Sequence, residues 1–408
     1  MMKVIYLCQY YATKTSTTST RAYTFVNRLA EEGHEVTVIT TDAFLKKEKP
    51  YKKVLGIKYY KEGNIEIKAI ASNYSNKTKF LFRGLAFLNF VFQSYFIGKK
   101  EWDADIIFAS STPLTIGIPA LWLKKKLKVP FVFEVRDLWP EAPIQMQVLK
   151  NQFLIKYFKS LEDKIYKSAN KIISLSPGMT QGILATGVEQ EKVAFIPNFS
   201  DIAFFEKNKE LGKVENIRVK QQLKDKFVLA HIGAMGQANG LDYLVDVAHI
   251  LKDEDRIRIM IVGDGMMRKK LQEKSERLGL KNIIFTGYIE RCEVPSYTEV
   301  ADITMTSFAN VPILDTNSPN KFFDSLAAGK PIIVNSKGWT KDIVEKHDIG
   351  YFVDPENPAM LADLLLELKK NKNMLFRKGS KAKYIAAKEY DGKKLASQFV
   401  RILEKECK

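Results

Sequence analysis

Four short segments of this 408-residue sequence carry residue types and spacings that could do chemistry. Gly233-Ala-Met-Gly236 and Gly240 stand between an apolar strand and a helix, where the lack of side chains lets backbone N–H groups approach an anion. The other reading of those glycines is an ordinary strand-to-helix turn. Gly263-Asp-Gly265 reads equally as a plain tight turn or as a close-approach turn bordering the same ligand. Lys321 follows Pro319 at a predicted helix start, an end where the helix dipole disfavours a cation unless an anion is present. Lys321 is therefore the first candidate for neutralising a phosphate, and Arg268 the second. In Val135-Arg-Asp-Leu-Trp-Pro-Glu141 a buried strand runs directly into Arg136, Asp137 and Glu141, at the strand end where α/β proteins build sites. A helix N-cap at Asp137 and a packed turn at Trp139-Pro140 are the structural alternatives.

The elements around these segments alternate in type. A strand at Val4–Leu7, a Ser/Thr-rich loop at Thr13–Thr20, a helix over about 21–32, a stop at Gly33 and a strand at Glu35–Thr41 open the chain. Strands at Ile106–Ala109, Phe131–Val135 and Lys171–Leu175 follow, separated by helices near Ile116–Leu127 and Leu154–Ser168. The lysine-rich, weakly periodic stretch 206–226 reads as a linker. A second series then runs through strands Phe227–Ile232, Ile257–Val262, Ile283–Phe285, Ile303–Thr306 and Pro331–Val334, with helices at Leu241–Leu251, Met267–Leu278 and Asn320–Ala328. Such β-α-β alternation predicts parallel, doubly wound sheets, and the length calls for two of them. We expect a first domain over 1–200, a second over 201–385 and a C-terminal helix over 386–408 that packs back on the first. If two such domains face each other, strand ends and helix N-termini converge on one cleft, the predicted site.

Composition narrows the partners. Of the net charge of +17, residues 1–200 supply +12, with 29 Lys and Arg against 17 Asp and Glu. The basic residues lack the aromatic spacing of a nucleic-acid surface, so anionic lipid or a phosphorylated partner is the expectation and nucleic acid is not. Cys8, Cys292 and Cys407 are too few and too scattered for a disulfide framework or a metal site, which suits a reducing cytoplasm. The apolar run after Met1-Met2-Lys3 is too short for a signal-peptide core, so export by that route is not expected.

The stretch from Thr316 to Val334, Thr-Asn-Ser-Pro-Asn-Lys-Phe-Phe-Asp-Ser-Leu-Ala-Ala-Gly-Lys-Pro-Ile-Ile-Val, resembles the nucleotide-sugar signature of glycosyltransferase family 4. The resemblance extends through Gly33-His-Glu-Val-Thr-Val-Ile-Thr40, Val135–Glu141, Ser176-Pro-Gly-Met179, Ile196-Pro-Asn198, Ile261-Val-Gly-Asp-Gly265 and Gly350-Tyr-Phe-Val353. It implies a GT-B fold, two Rossmann-like α/β domains, the first taking the acceptor and the second the nucleotide-sugar. It also implies a UDP-sugar co-substrate, retention at the anomeric carbon, and no obligatory metal or other cofactor. The Asp-Leu-Trp-Pro-Glu and Pro-Asn-Lys-Phe-Phe-Asp segments are similar to a bacterial subgroup building capsule and O-antigen repeat units, including transferases of N-acetylfucosamine. That implies a polyprenyl-diphosphate-linked saccharide acceptor.

The resemblance also assigns roles. Gly233, Gly236, Gly263, Gly265, Arg268, Thr316, Asn317, Ser318, Asn320, Lys321 and Asp324 would line the donor site. Asp324 matches the second acid of the family's paired-glutamate signature, which accepts the ribose hydroxyls; the first falls on Thr316, with Asp315 one position away. The phosphate-loop Arg and Lys of many members are replaced by neutral residues around Met235 and Asn239. Arg136, Asp137, Glu141 and Asp315 remain the catalytic candidates, since none of the four histidines lies in the 135–141 segment. Asp103-Ala-Asp105, directly before a strand, is rejected as a metal site.

Residues 79–98 are long enough to span a bilayer, but Arg83, Asn89 and Gln93 would be costly there. Six phenylalanines flanked by Lys77, Lys79, Lys99 and Lys100 suit a helix lying in a membrane interface or, equally, a core helix with a basic rim. Attachment to the cytoplasmic face of the plasma membrane is the expectation. A UDP-N-acetylglucosamine 2-epimerase shares the two-domain design, and the 316–334 signature favours transfer over it; a non-catalytic assembly scaffold is the third reading, distinguished by donor binding without turnover.

Overall fold

The computed structural model describes residues 1–13, 21–45, 47–72 and 80–407, with backbone alone at 80–83 and 85. Residues 14–20 of the expected Ser/Thr-rich loop, Lys77 and Lys79 lie outside the described residues. The chain runs β1 (Lys3–Cys8), α1 (Arg21–Glu31), β2 (Glu35–Thr41), β3 (Lys52–Val54), β4 (Ile57–Glu62), β5 (Ile65–Ile70), α2 (Phe80–Gly98), β6 (Ile106–Ser110), α3 (Gly117–Leu127), β7 (Phe131–Val135), α4 (Glu141–Gln145), α5 (Gln152–Ser168), β8 (Lys171–Ser174), α6 (Pro177–Leu184) and β9 (Val193–Phe195). It continues through α7 (Ile202–Asn208), α8 (Leu211–Lys220), β10 (Phe227–Ile232), α9 (Asp242–Ile250), β11 (Ile257–Val262), α10 (Arg268–Arg277), β12 (Ile283–Gly287), α11 (Val294–Val300) and β13 (Ile303–Thr306). It closes with α12 (Asn320–Ala327), β14 (Ile332–Val334), α13 (Trp339–His347), β15 (Gly350–Phe352), α14 (Pro358–Leu368), α15 (Lys372–Glu389) and α16 (Gly392–Glu406).

Two compact units result, one of Met1–Pro197 with Gly392–Lys408 and one of Asn198–Asp391. In the first, the strand order is β3-β4-β5-β2-β1-β6-β7-β8-β9. From β5 to β9 every pairing is parallel, and β6 and β7 are buried at every position, as expected of strands covered by helices on both faces. The β3–β4–β5 edge is antiparallel and was not anticipated from sequence, because Lys52–Glu62 has neither a continuous apolar run nor clean alternation. The C-terminal helix expected from 386 begins at Gly392 as α16 and packs on α1, where Phe399 stacks on Phe25 at 4.3 Å.

The second unit holds a six-stranded, wholly parallel sheet in the order β12-β11-β10-β13-β14-β15. Its core joins β10, β11 and β13 to α9 and α14 through Leu229, Ile259, Ile261, Leu244, Val247, Leu361 and Leu365. The linker expected over 206–226 is corrected: the crossing between units falls at Pro197–Asn198, and 206–226 contains α8. Val214 and Ile217 of α8 are buried against Val228, Met260 and Val300. Two inward apolar residues in a lysine-rich helix leave little periodic signal.

The expected interfacial helix is α2. Phe90, Val91, Ser94 and Ile97 are buried, while Leu88, Phe92 and Phe96 are exposed at fourfold spacing beside the exposed Trp122 of α3. Trp122 lies 5.9 Å from Phe92 and 5.5 Å from Tyr95. The helix therefore serves as core on one face and presents an aromatic stripe on the other. No helix among the described residues is long and apolar enough to cross a membrane.

Candidate active site

In the second unit β10 ends at Ile232 and the chain turns through Gly233–Gly236 into the loop before α9. This loop is stitched to the one after β11: Gly233 N donates to Val262 O at 2.8 Å, Met235 N to Asp264 O at 3.0 Å and Met267 N to Met235 O at 3.0 Å. The contact explains two glycines. A Cβ on Gly263, whose φ is +133°, would lie 2.0 Å from Gly233 O, and one on Gly265 would lie 2.5 Å from Met235 O. Both are thus required by the approach of the neighbouring loop.

Space beside Gly233 is taken by Lys321, which reaches in from the first turn of α12 with Cε only 3.3 Å from where a Cβ would stand. Its Nζ donates to Asn239 Oδ1 and lies 3.4 Å from His231 Nε2. Burial lowers the Lys321 amine to about 7. Burial first, then the Lys321 charge, holds His231 well below its usual range, so the imidazole stays neutral. Arg268, in the first turn of α10, lays its guanidinium 3.0 to 3.2 Å from a Cβ position at Gly287, the last residue of β12, and 3.9 Å from Asp264. Lys321 and Asn239 therefore bring a cation to the 233–240 loop, where sequence reading left only neutral residues.

Asp324 sits one turn further along α12. Both its oxygens accept from Arg291, at 2.6 Å each, and that guanidinium also lies over the rings of Phe204 and Phe205. The residue expected to accept the ribose hydroxyls is thus a carboxylate held in a bidentate pair, with its outward lone pairs left for a ligand. Asp315 Oδ1 accepts from Ser336 Oγ at 2.9 Å and Lys337 N at 2.8 Å, which anchors the loop after β14. Thr316 Oγ1 donates to Ile313 O, Asn317 O accepts from Trp339 Nε1, and Ser318 accepts from Asn198 through both its hydroxyl and its carbonyl. These three residues shape the approach to α12, whose first residue, Asn320, is exposed.

In the first unit the carboxyl end of β7 gathers Arg136, Asp137 and Glu141. Arg136 N donates to Ser111 Oγ at 2.9 Å, and Asp137 Oδ2 accepts from Thr112 Oγ1 at 2.7 Å, tying the loop to the end of β6. Burial raises the Asp137 carboxyl above the ordinary range. Glu141 opens α4 and accepts from Gln145 at 2.8 Å. Behind the loop Trp139 meets Phe158 of α5, and Glu162, one turn on, is raised to about 7 by burial. Asp103 and Asp105 both bind Lys3, through Nζ at 2.5 Å and the backbone N at 2.7 Å, and so fasten the start of β1. Among the described residues no group of three or more His, Cys, Asp or Glu is placed to hold a metal.

Sequence reading missed His231 and Arg291. The first showed as a lone polar residue in an apolar strand; the second gave no signal. It also missed the buried Arg21, whose Nε donates to Glu134 Oε1 at 2.8 Å while its other nitrogens bind the carbonyls of Ile196 and Pro197.

Two family models divide this chain much as the fold does: "Glycosyl transferase 4-like domain" matches residues 16–198 and "Glycosyl transferases group 1" matches 213–385. The chain belongs to glycosyltransferase family 4. It is a GT-B glycosyltransferase. Among relatives, the putative colanic acid biosynthesis glycosyl transferase WcaI of Escherichia coli K12 is 24% identical over 387 residues, 92% of this chain and 93% of its own. The putative teichuronic acid biosynthesis glycosyltransferase TuaH of Bacillus subtilis 168 is 28% identical over 231 residues, 56% of this chain and 55% of its own. Among solved structures, Anabaena HepE in complex with UDP-glucose superposes with a TM-score of 0.73 over 99% of this chain and 100% of its own, at 17% identity. The transferase's glycine loops, Lys321 and the 135–141 loop thus lie on a GT-B fold.

Proposed function

We propose that this glycosyltransferase moves a sugar from a UDP-sugar to a polyprenyl-diphosphate-linked saccharide during synthesis of a bacterial surface polysaccharide such as a capsule, O-antigen or exopolysaccharide. The observation that carries the reading is Lys321 at the 233–240 loop, an amine among neutral neighbours beside a glycine turn suited to a diphosphate. The UDP complexes of HepE and the names of WcaI and TuaH support the donor class and the pathway type. The sequence similarity around Asp137 and Asp324 points to an N-acetylated deoxyhexosamine such as N-acetylfucosamine.

In this reading negative charge growing on the leaving phosphate is met by Lys321, by Arg268 and by those loop amides not given to the carbonyls of Val262 and Asp264. Transfer retains configuration, the leaving diphosphate taking the acceptor proton on the same face. Arg136, Asp137 and Glu141 position the acceptor, which is where most of the protein's contribution lies when no side chain attacks the sugar. No metal is required. The stripe of Leu88, Phe92, Phe96 and Trp122, bordered by Lys99, Lys100, Lys125, Lys126 and Lys128, would seat the enzyme on the anionic inner face of the plasma membrane.

The test is UDP release from a panel of UDP-sugars, with and without short polyprenyl-diphosphate-saccharides, for the wild type, Lys321→Ala and Asp324→Ala. Acceptor-dependent release lost in both variants supports transfer. Isomerisation without acceptor indicates an epimerase, and donor binding without turnover indicates a scaffold.

A further inference from the structure

Lys321, His231 and Asn239 form a cluster with an unusual charge arrangement. Lys321 Nζ has Asn239 Oδ1 as its hydrogen-bond acceptor, His231 Nε2 at 3.4 Å, the Gly233 backbone beside its stem and the Phe308 ring 5.9 Å away. None of these carries a negative charge. The charged groups on the elements packed around it are committed elsewhere. Asp324, on its own helix, is closed on Arg291; Asp264, after β11, accepts from Gly265 N and faces Arg268; Asp242, at the start of α9, faces Lys274 at 3.9 Å. His231, from β10, is the one titratable neighbour within hydrogen-bonding distance among the described residues, and its charged form would repel the ammonium.

We propose that the donor site is charged on demand: arrival of a diphosphate draws one proton from solvent onto Lys321, while neutral His231 and Asn239 hold the amine in line with the Gly233 loop. The inference rests on the reading of this site as a diphosphate site. Among the described residues no carboxylate lies within hydrogen-bonding distance of the Lys321 amine, a setting that favours its neutral form. A bound diphosphate supplies charge within hydrogen-bonding distance and favours the ammonium. No bond other than N–H forms; the proton comes from water, and the lone pair of Lys321 accepts it. His231 is here a positioning residue, since a neutral imidazole beside the amine accepts its proton without adding charge.

The linkage has a definite sign. Burial puts the free amine at about 7, and the diphosphate raises it, so binding is strongest below neutrality. Above that point each pH unit weakens binding by roughly tenfold until the bound-state value is reached. UDP is a suitable probe because its terminal phosphate is fully ionised at pH 8, about two units above its second ionisation. Titration calorimetry of the full chain with UDP at pH 8, in HEPES and in Tris, reads the protons exchanged. The expected result is an uptake approaching one proton at pH 8 that declines to about half a proton at pH 7, where UDP is still mostly ionised. Lys321→Arg, permanently charged, binds with no uptake. Lys321→Met, its folding checked by thermal midpoint, binds weakly with an affinity independent of pH between 7 and 9, and His231→Gln keeps the uptake. UDP binding by the wild type without uptake at pH 8 overturns the proposal, as does uptake that survives in Lys321→Arg or vanishes in His231→Gln. Failure of UDP to bind at any pH overturns the diphosphate reading itself and the inference with it.

Discussion

Arg21 offers the sharpest stability prediction. Its side chain and that of Glu134 are each 1% exposed, joined at 2.8 Å, with Ser110 Oγ on the second carboxylate oxygen at 2.5 Å. The same guanidinium binds the carbonyls of Ile196 and Pro197, the last residues of the first unit before the crossing. Arg21→Met leaves a buried carboxylate without its partner, which costs about 3–5 kcal/mol. Two carbonyls lose their donors as well, at about 1 kcal/mol each. For a unit of this size about 1 kcal/mol moves the midpoint by about 2–4 °C, so its melting should fall by at least about 10 °C and by as much as about 28 °C. Replacing both partners, as Arg21→Met with Glu134→Leu, removes the stranded charge and should recover more than half of the loss. Differential scanning calorimetry of the three proteins measures it. A fall below about 3 °C in the single variant, or a double variant melting lower than the single, refutes the reasoning.

Asp324→Asn keeps the size of the side chain but gives up the charged bidentate pair with Arg291, and Arg291→Lys gives up the fork from the other side. Each should weaken UDP binding about tenfold with the fold intact; an unchanged dissociation constant by calorimetry would show that the pair does not shape the donor site. Glu162, raised by burial to about 7, binds its proton more tightly folded than unfolded, so stability is lost as pH climbs through about 4 to 7. Glu162→Gln should therefore match the wild type in thermal midpoint at pH 4 and exceed it at pH 8, and the opposite ordering contradicts the burial argument. Replacing Phe92, Phe96 and Trp122 together by Ser removes about 1 kcal/mol of burial per ring at a half-inserted surface and should lower partitioning onto phosphatidylglycerol vesicles about a hundredfold in sedimentation. Equal partitioning would assign the stripe elsewhere.

The strands that position the site were legible from their composition. β7, β10 and β11 are apolar runs broken by one polar residue each, and β13 alternates Ile and Met with Thr; these are near-continuous patterns of parallel strands buried on both faces, and their limits match the sequence reading. The edge strands β3 and β4, Lys-Lys-Val and Ile-Lys-Tyr-Tyr-Lys-Glu, are largely exposed and left no such run. Lys321 was legible because a lysine at a helix start is out of place without an anion. Arg291 was not, since its partner lies 33 residues away across β13 and no local rule joins them. Asp315 stands one residue off the family spacing, and its contacts are set by the 336–337 loop; Gly263 and Gly265 owe their identity to the neighbouring loop.

A crystal soaked with UDP tests the donor site most directly. A phosphate oxygen within about 3 Å of Lys321 Nζ, with backbone amides of the 233–236 loop turned toward the diphosphate, is the expected result. A diphosphate bound away from Lys321 and that loop would contradict it.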